Sequence, residues 1–327
     1  MQKYRSALPQ LGSRLFLSDG GLETTLIFHS SIQLPYFASF DLMRSVEGRN
    51  TLRKYYVPYI ETALRSGLGF ILESPTWRAN PDWAAKLGYS AEALAEINQD
   101  AISLMTELRD AHETSTTPMV ISGCIGPRGD GYVAGEEMSP EAASDYHSQQ
   151  IRTFALSDAD MIAAFTMTNV NEALGIARAA QHFKIPSAIS FTLETNGRLP
   201  TGQSLKEAIQ TIDQETSQGP AYYMINCAHP THFASIFDDE GDWISRVRGI
   251  RANASKRSHA ELDEAPDLDD GNPRELGEQY RGLLARAPQV TVVGGCCGTD
   301  HRHVTCISAA CGGSSTTETS DNNLAVS

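Results

Sequence analysis

The chain has 327 residues, 41% of them hydrophobic, and a formal net charge of −14, enough apolar material for a large core without disulfide staples. The acidic balance, with no basic cluster and no basic–aromatic interleaving, excludes a nucleic-acid partner, and no apolar stretch approaches the ~20 residues that span a bilayer. Six cysteines in a chain this long make a poor disulfide framework; with no continuous apolar signal core in residues 1–17, a soluble, cytoplasmic protein with free thiols is expected.

Short apolar runs alternate with helix-length amphipathic segments from one end to the other. Strands are expected at 15–17, 69–72, 119–122, 161–165, 188–191, 222–226, 246–252 and 289–293. Helices are expected at 91–111, with Ser90 as N-cap, and at 140–154, with Ser139 as cap and Pro140 in the first turn. Others fall at 171–182, 204–215 and 273–287. Strand–helix alternation implies a parallel sheet with crossover helices. Eight strands in this length fit an α/β fold of the closed (β/α)₈ TIM-barrel type as a single domain. A doubly wound sheet usually has fewer strands and a glycine-rich phosphate turn. The barrel is expected to occupy residues 1–311. Residues 312–327, rich in Gly, Ser, Thr and Asn, read as a disordered tail.

Barrel enzymes place their sites at the C-terminal strand ends, where several polar segments converge. Asp19-Gly20-Gly21 follows the first strand, Glu73 the second, the glycine-rich 126–131 the third, and 194–198 the fifth. Two long loops, 192–203 and the acidic 253–272, are read as surface, the acidic run as solvated.

The same rim receives three thiols. Cys227 closes the sixth strand, and Cys296-Cys297, framed by Gly294-Gly295 and Gly298, follows the eighth. Three thiolates can hold a zinc ion and leave its fourth tetrahedral position open. Adjacent cysteines in a regular strand point to opposite faces, so sharing a metal requires the backbone to leave the pleat, which the glycines permit. The alternative is a set of buried thiols packing as small hydrophobes, which is how Cys124, Cys306 and Cys311 are read.

Asp19-Gly20-Gly21-Leu22, Ile225-Asn226-Cys227 and Gly294-Gly295-Cys296-Cys297-Gly298-Thr299, followed by His303, together resemble the homocysteine S-methyltransferase family in order and spacing over roughly residues 10–310. The resemblance implies Zn²⁺ held by Cys227, Cys296 and Cys297, with homocysteine as fourth ligand. It implies Asp19 in the homocysteine site, Asn226 orienting the rim, and Thr76-Trp77 matching a Thr-aromatic pair, with Trp77 a candidate wall against substrate or donor. His303 reads as a helix-start residue, and His229 and His301 are secondary candidates as ligands. Coordination deprotonates a thiol outright, and an anionic thiolate-rich centre keeps the substrate sulfur nucleophilic toward a methyl group on a cationic centre. No cobalamin or folate domain fits in this length, so a sulfonium donor is expected, S-methylmethionine or S-adenosylmethionine.

The chain departs from the family where a glutamate usually closes the fourth strand to hold the amino group of homocysteine: Phe165 stands there. Glu23 and Glu73 are acids at positions where most relatives carry small or neutral residues, and either is a candidate to have taken over that task. Residues 251–255 also differ from the commoner Pro-Asn-Ser-Gly-like pattern, although Asn253 is retained. The competing readings are an S-methyltransferase of another small thiol, and a non-catalytic protein with a zinc site closed by four protein ligands. Homo-oligomerisation is left open.

Overall fold

The computed structural model describes residues 2–312; all but the first residue of the expected tail lies outside them. The strands are β1 (Phe16–Leu17), β2 (Gly69–Glu73), β3 (Met119–Ile125), β4 (Met161–Met167), β5 (Ser187–Thr192), β6 (Tyr222–Asn226), β7 (Val247–Ala252) and β8 (Val292–Gly295). All pair in parallel in sequence order, and β1 pairs with both β2 and β8, so the barrel closes. This is the expected (β/α)₈ architecture.

The helices start where their caps dictate. In α1 (Val46–Ser66) the Ser45 hydroxyl accepts from the backbone N–H of Gly48, and Gly67 ends the helix in the left-handed region. In α2 (Ala91–His112) Ser90 accepts from Ala93, and in α3 (Pro140–Leu156) Ser139 accepts from Ala142. Next come α4 (Val170–His182), capped by Asn169, and α5 (Leu205–Thr216), with a Ser204/Glu207 capping box. The last two are α6 (Pro273–Arg286), capped by Asn272, and α7 (His301–Cys311), where Asp300 and His303 form the box. Between β6 and β7 the chain crosses by short turns only, Pro230–Phe233, Ala234–Asp238 and Asp242–Arg246.

Strand parity sorts the core into two. Phe70 and Leu72 of β2, Ile162 and Ala164 of β4, and Tyr223 and Ile225 of β6 face the helices, while Ile71, Met161, Ala163, Phe165, Tyr222 and Met224 fill the barrel. Continuing each alternation, Glu73, Phe165, Asn226 and Arg251 become the last inward residues of their strands. The sheet thus delivers four large side chains, three of them polar, to the floor of the C-terminal mouth. β8 starts three residues and ends two residues later than expected, on Gly294-Gly295. Side chains there would collide with Ser18 and Thr299, so only glycine lets β8 close against the turn after β1.

Candidate metal and substrate site

Cys227, Cys296 and Cys297 are brought together at the mouth, their sulfurs all within 4.8 Å of one another. The backbone leaves the pleat on both sides of the cluster. Cys227 has φ = 53°, the left-handed region that a non-glycine residue enters only under constraint. That constraint comes from hydrogen bonds of its backbone N–H to the Arg251 carbonyl (3.2 Å) and of its own carbonyl with His259 Nε2 (2.6 Å). After β8 a turn closes by a bond from Thr299 N to the Cys296 carbonyl (3.0 Å), with Gly298 at φ = 77°. The two vicinal thiols therefore share a side, as the glycine framing implied.

Four thiolates around zinc, each with a Zn–S bond of about 2.3 Å, place sulfurs about 3.8 Å apart. Cys227 and Cys297 are 3.7 Å apart, while Cys227 and Cys296 are closer, at 2.6 Å. The donor set therefore fits zinc once one edge opens by about 1 Å. With no cation, sulfurs this close cannot all ionise. Hydrogen bonds from Cys227 and Cys297, then Arg251, hold the Cys296 thiol well below its usual range. Its hydrogen bond with Cys296, that with Cys297 and burial push Cys227 up. Cys297 rises too: the bond with Cys227 lowers it, but Cys296 and burial outweigh that.

The sulfurs form one wall of a cavity of about 220 Å³, and every residue expected from the sequence lines it: Asp19, Glu23, Glu73, Trp77 and Asn226. Asp19 is tied down, Oδ1 accepting from Arg251 Nη2 at 2.7 Å and Oδ2 from the Tyr55 hydroxyl at 3.0 Å. Burial raises its pKa, with Arg251 and Tyr55 pulling against that rise. Glu23 accepts from the Ser39 hydroxyl at 2.7 Å. Glu73 is different: Oε2 is buried without a hydrogen-bond partner, and burial pushes the carboxyl up to about 7 against the attraction of Arg251. Asn226 accepts from the backbone N–H of Thr166 (2.9 Å) and donates to its hydroxyl (3.0 Å). It thereby holds the kink at Thr166, φ = 62°, where the β4–β5 register shifts. Thr76 donates to the Cys124 carbonyl at 2.7 Å, bracing β2 against β3. His229 caps Pro230–Phe233 and His303 belongs to the α7 capping box. Among the described residues neither they nor His301 join the sulfur cluster.

A sequence model of the family described as homocysteine S-methyltransferase matches residues 16–311. The chain belongs to the homocysteine S-methyltransferase family. Homocysteine S-methyltransferase 1 of Brassica oleracea var. italica is 22% identical over 313 residues, covering 89% of this chain and 91% of that protein. The selenocysteine Se-methyltransferase of the same plant is 24% identical over 304 residues, covering 86% and 84%. Among solved structures, the homocysteine methyltransferase MmuM from Escherichia coli superposes with a TM-score of 0.73 in its metallated form, at 19% identity, covering 93% of this chain and 98% of that one. Membership of the homocysteine S-methyltransferase family makes the chain a methyltransferase-type enzyme whose rim cavity is the place to look for substrate.

Three residues of the site escaped the sequence reading. Tyr132, just after the glycine-rich loop 126–131, donates its hydroxyl to Cys297 Sγ at 3.0 Å. Burial, then the three cysteines, keep that phenol protonated. His259 stacks on the Tyr132 ring, centroids 4.4 Å apart, and is buried. It lies in the long loop expected to be solvated, which is instead anchored at the site by this histidine, although most of its acids do face solvent. Arg251, within a stretch noted as atypical, occupies the barrel mouth with its guanidinium 5.0 Å from the Phe165 ring centroid. A charged residue inside an apolar strand pattern was the one available signal.

Proposed function

We propose that this protein transfers a methyl group from a sulfonium donor to the thiol of homocysteine, giving methionine, with Zn²⁺ held by Cys227, Cys296 and Cys297. The observation that carries this reading is the convergence of three sulfurs on one wall of a cavity at the catalytic end of the barrel. Bound there, the ion would supply a thiolate form of the acceptor at neutral pH. The chain's own residues do the rest. Tyr132 gives a hydrogen bond to Cys297, tempering charge on that sulfur. Asn226 fixes the rim of β4, and Trp77, Asp19, Glu23 and Glu73 surround the substrate. The methyl group then moves in line from donor sulfur to acceptor sulfur, with no general base needed at that step, so that alignment and exclusion of water account for the acceleration.

A cavity of about 220 Å³ is below the roughly 300–1,000 Å³ of pockets for drug-sized ligands, which favours S-methylmethionine over the bulkier S-adenosylmethionine. A closed structural zinc site needs four protein ligands, and among the described residues the cluster has three, which favours catalysis. All six cysteines are free, in keeping with a reducing, cytoplasmic setting, and no helix among the described residues is long and apolar enough to cross a membrane. We take residues 1–311 as the functional unit. The selenocysteine-methylating relative keeps another small thiol or selenol as the second reading. Incubating zinc-loaded protein with sulfonium donors and a panel of thiols labelled in their carbon chains tests both: methionine carrying the homocysteine label supports the first, another labelled thioether the second, and product formation undiminished in Cys297→Ser contradicts the metal's role.

A further inference from the structure

We propose that Arg251 and Glu73 form a clamp for the zwitterionic head group of the acceptor, the guanidinium taking its carboxylate and Glu73 its ammonium. The inference rests on the thiol-methyltransferase reading and adds the group by which the acceptor is recognised.

Arg251 is fully committed on two sides only. Nε donates to the Gly295 carbonyl (2.9 Å), and Nη2 to Asp19 Oδ1 (2.7 Å) and to the carbonyls of Asp19 and Gly20. Nη1 makes no hydrogen bond to the described residues, and the Phe165 ring at 5.0 Å holds the plane of the guanidinium in place. Glu73 has one carboxylate oxygen buried and unpartnered. The two residues line the same cavity as the three sulfurs and attract each other, yet Arg251 pairs within ion-pair distance with Asp19 and not with Glu73. A buried carboxylate oxygen without a partner and an open guanidinium N–H in the same mouth are costly to leave unmade. An α-amino acid inserted between them supplies both missing partners, its carboxylate joining Asp19 at the guanidinium and its ammonium meeting Glu73, which makes the arrangement preorganised for a zwitterion. The acid that faces the amino group is thereby carried by β2, and Phe165 on β4 serves the cation instead. Glu23 is the weaker candidate, because Ser39 already occupies its carboxylate.

The test uses the cobalt-substituted full chain, in which a thiol entering the metal's coordination changes the absorption spectrum and gives its Kd directly, alongside methyl transfer. Three thiols are compared: homocysteine, 4-mercaptobutanoate, which lacks the amino group, and 3-mercaptopropylamine, which lacks the carboxylate. In the unmodified protein each truncated thiol should bind about 30-fold more weakly or worse. Glu73→Gln should weaken homocysteine by a similar factor while leaving 4-mercaptobutanoate unchanged. Arg251→Met should weaken homocysteine while leaving 3-mercaptopropylamine unchanged. Should that variant lose its fold through exposure of Asp19, the double variant Arg251→Met/Asp19→Asn removes the stranded charge and reads the same contrast. Equal binding of all three thiols, or equal loss of homocysteine and its truncated partner in a variant, overturns the clamp. Absence of any thiol binding with metal in place would instead strike at the methyltransferase reading.

Discussion

The two ends of this barrel handle buried charge in opposite ways. At the N-terminal end Asp160 is fully buried and fully used: Oδ1 accepts from the backbone N–H groups of Lys3 and Tyr4, both at 2.8 Å, and Oδ2 from Arg109 Nη1 and Ile121 N, both at 2.9 Å. At the C-terminal end Arg251, Glu73 and Cys227 are buried and Cys296 and Cys297 partly so, yet all keep valences open. Saturation at one end secures the fold, and incompleteness at the other leaves work for a ligand. A buried charged group in a barrel is thus diagnosed by whether its partners are complete.

The largest effect expected from disturbing this contrast is at the open end. Cys297→Ser removes a metal ligand and should lower methyl transfer on the order of a thousandfold, with zinc content of the purified protein falling in parallel and the urea midpoint of the metal-free form nearly unchanged. The closed end should answer in the other currency. Asp160→Ala removes a buried ion-pair partner of Arg109 together with three hydrogen bonds from backbone N–H groups and should cost about 3–5 kcal/mol of stability, measured by urea unfolding, while the fraction that remains folded binds zinc one to one.

Glu73 sharpens the comparison through pH. Its folded pKa of about 7 lies above the ordinary value of 4.5, so the folded state holds that proton more tightly than the unfolded chain. The resulting stabilisation is complete below about pH 4.5 and is lost as pH rises to about 7. Glu73→Gln should therefore match the unmodified protein near pH 4.5 and exceed its stability at pH 8 by up to about 3 kcal/mol. The smallest effect is at Tyr132. Loss of one hydroxyl-to-sulfur hydrogen bond in Tyr132→Phe should cost about 1 kcal/mol, or roughly fivefold in kcat/KM, without loss of zinc.

What the sequence disclosed follows local rules. Ser90, Ser139 and Ser204 mark helix starts because capping is decided within four residues. The apolar rhythm marks strands because the barrel's inner and outer faces are both buried. The thiols were legible because glycine must flank them for the turn to close. Helix α1 was not: Pro58 in its interior signals a break, and only the packing of Tyr55, Tyr56 and Tyr59 at the barrel wall overrides it. Glu73 and Phe165 were singled out from the sequence, but the approach of Arg251 to the Phe165 ring was hidden, since it joins strands that are not neighbours in the barrel, and parity says which way a side chain faces but not which cross-barrel residue meets it. Tyr132 and His259 sit on loops whose composition reads as solvent-facing, and they meet only because the β3 and β7 loops fold over the same cluster.

The most direct test of the central claim is zinc-edge X-ray absorption on the loaded protein before and after addition of homocysteine. The account predicts three sulfurs at about 2.3 Å with one lighter atom, becoming four sulfurs on addition. A site with four protein ligands that does not change, or a protein that binds no zinc, would contradict it.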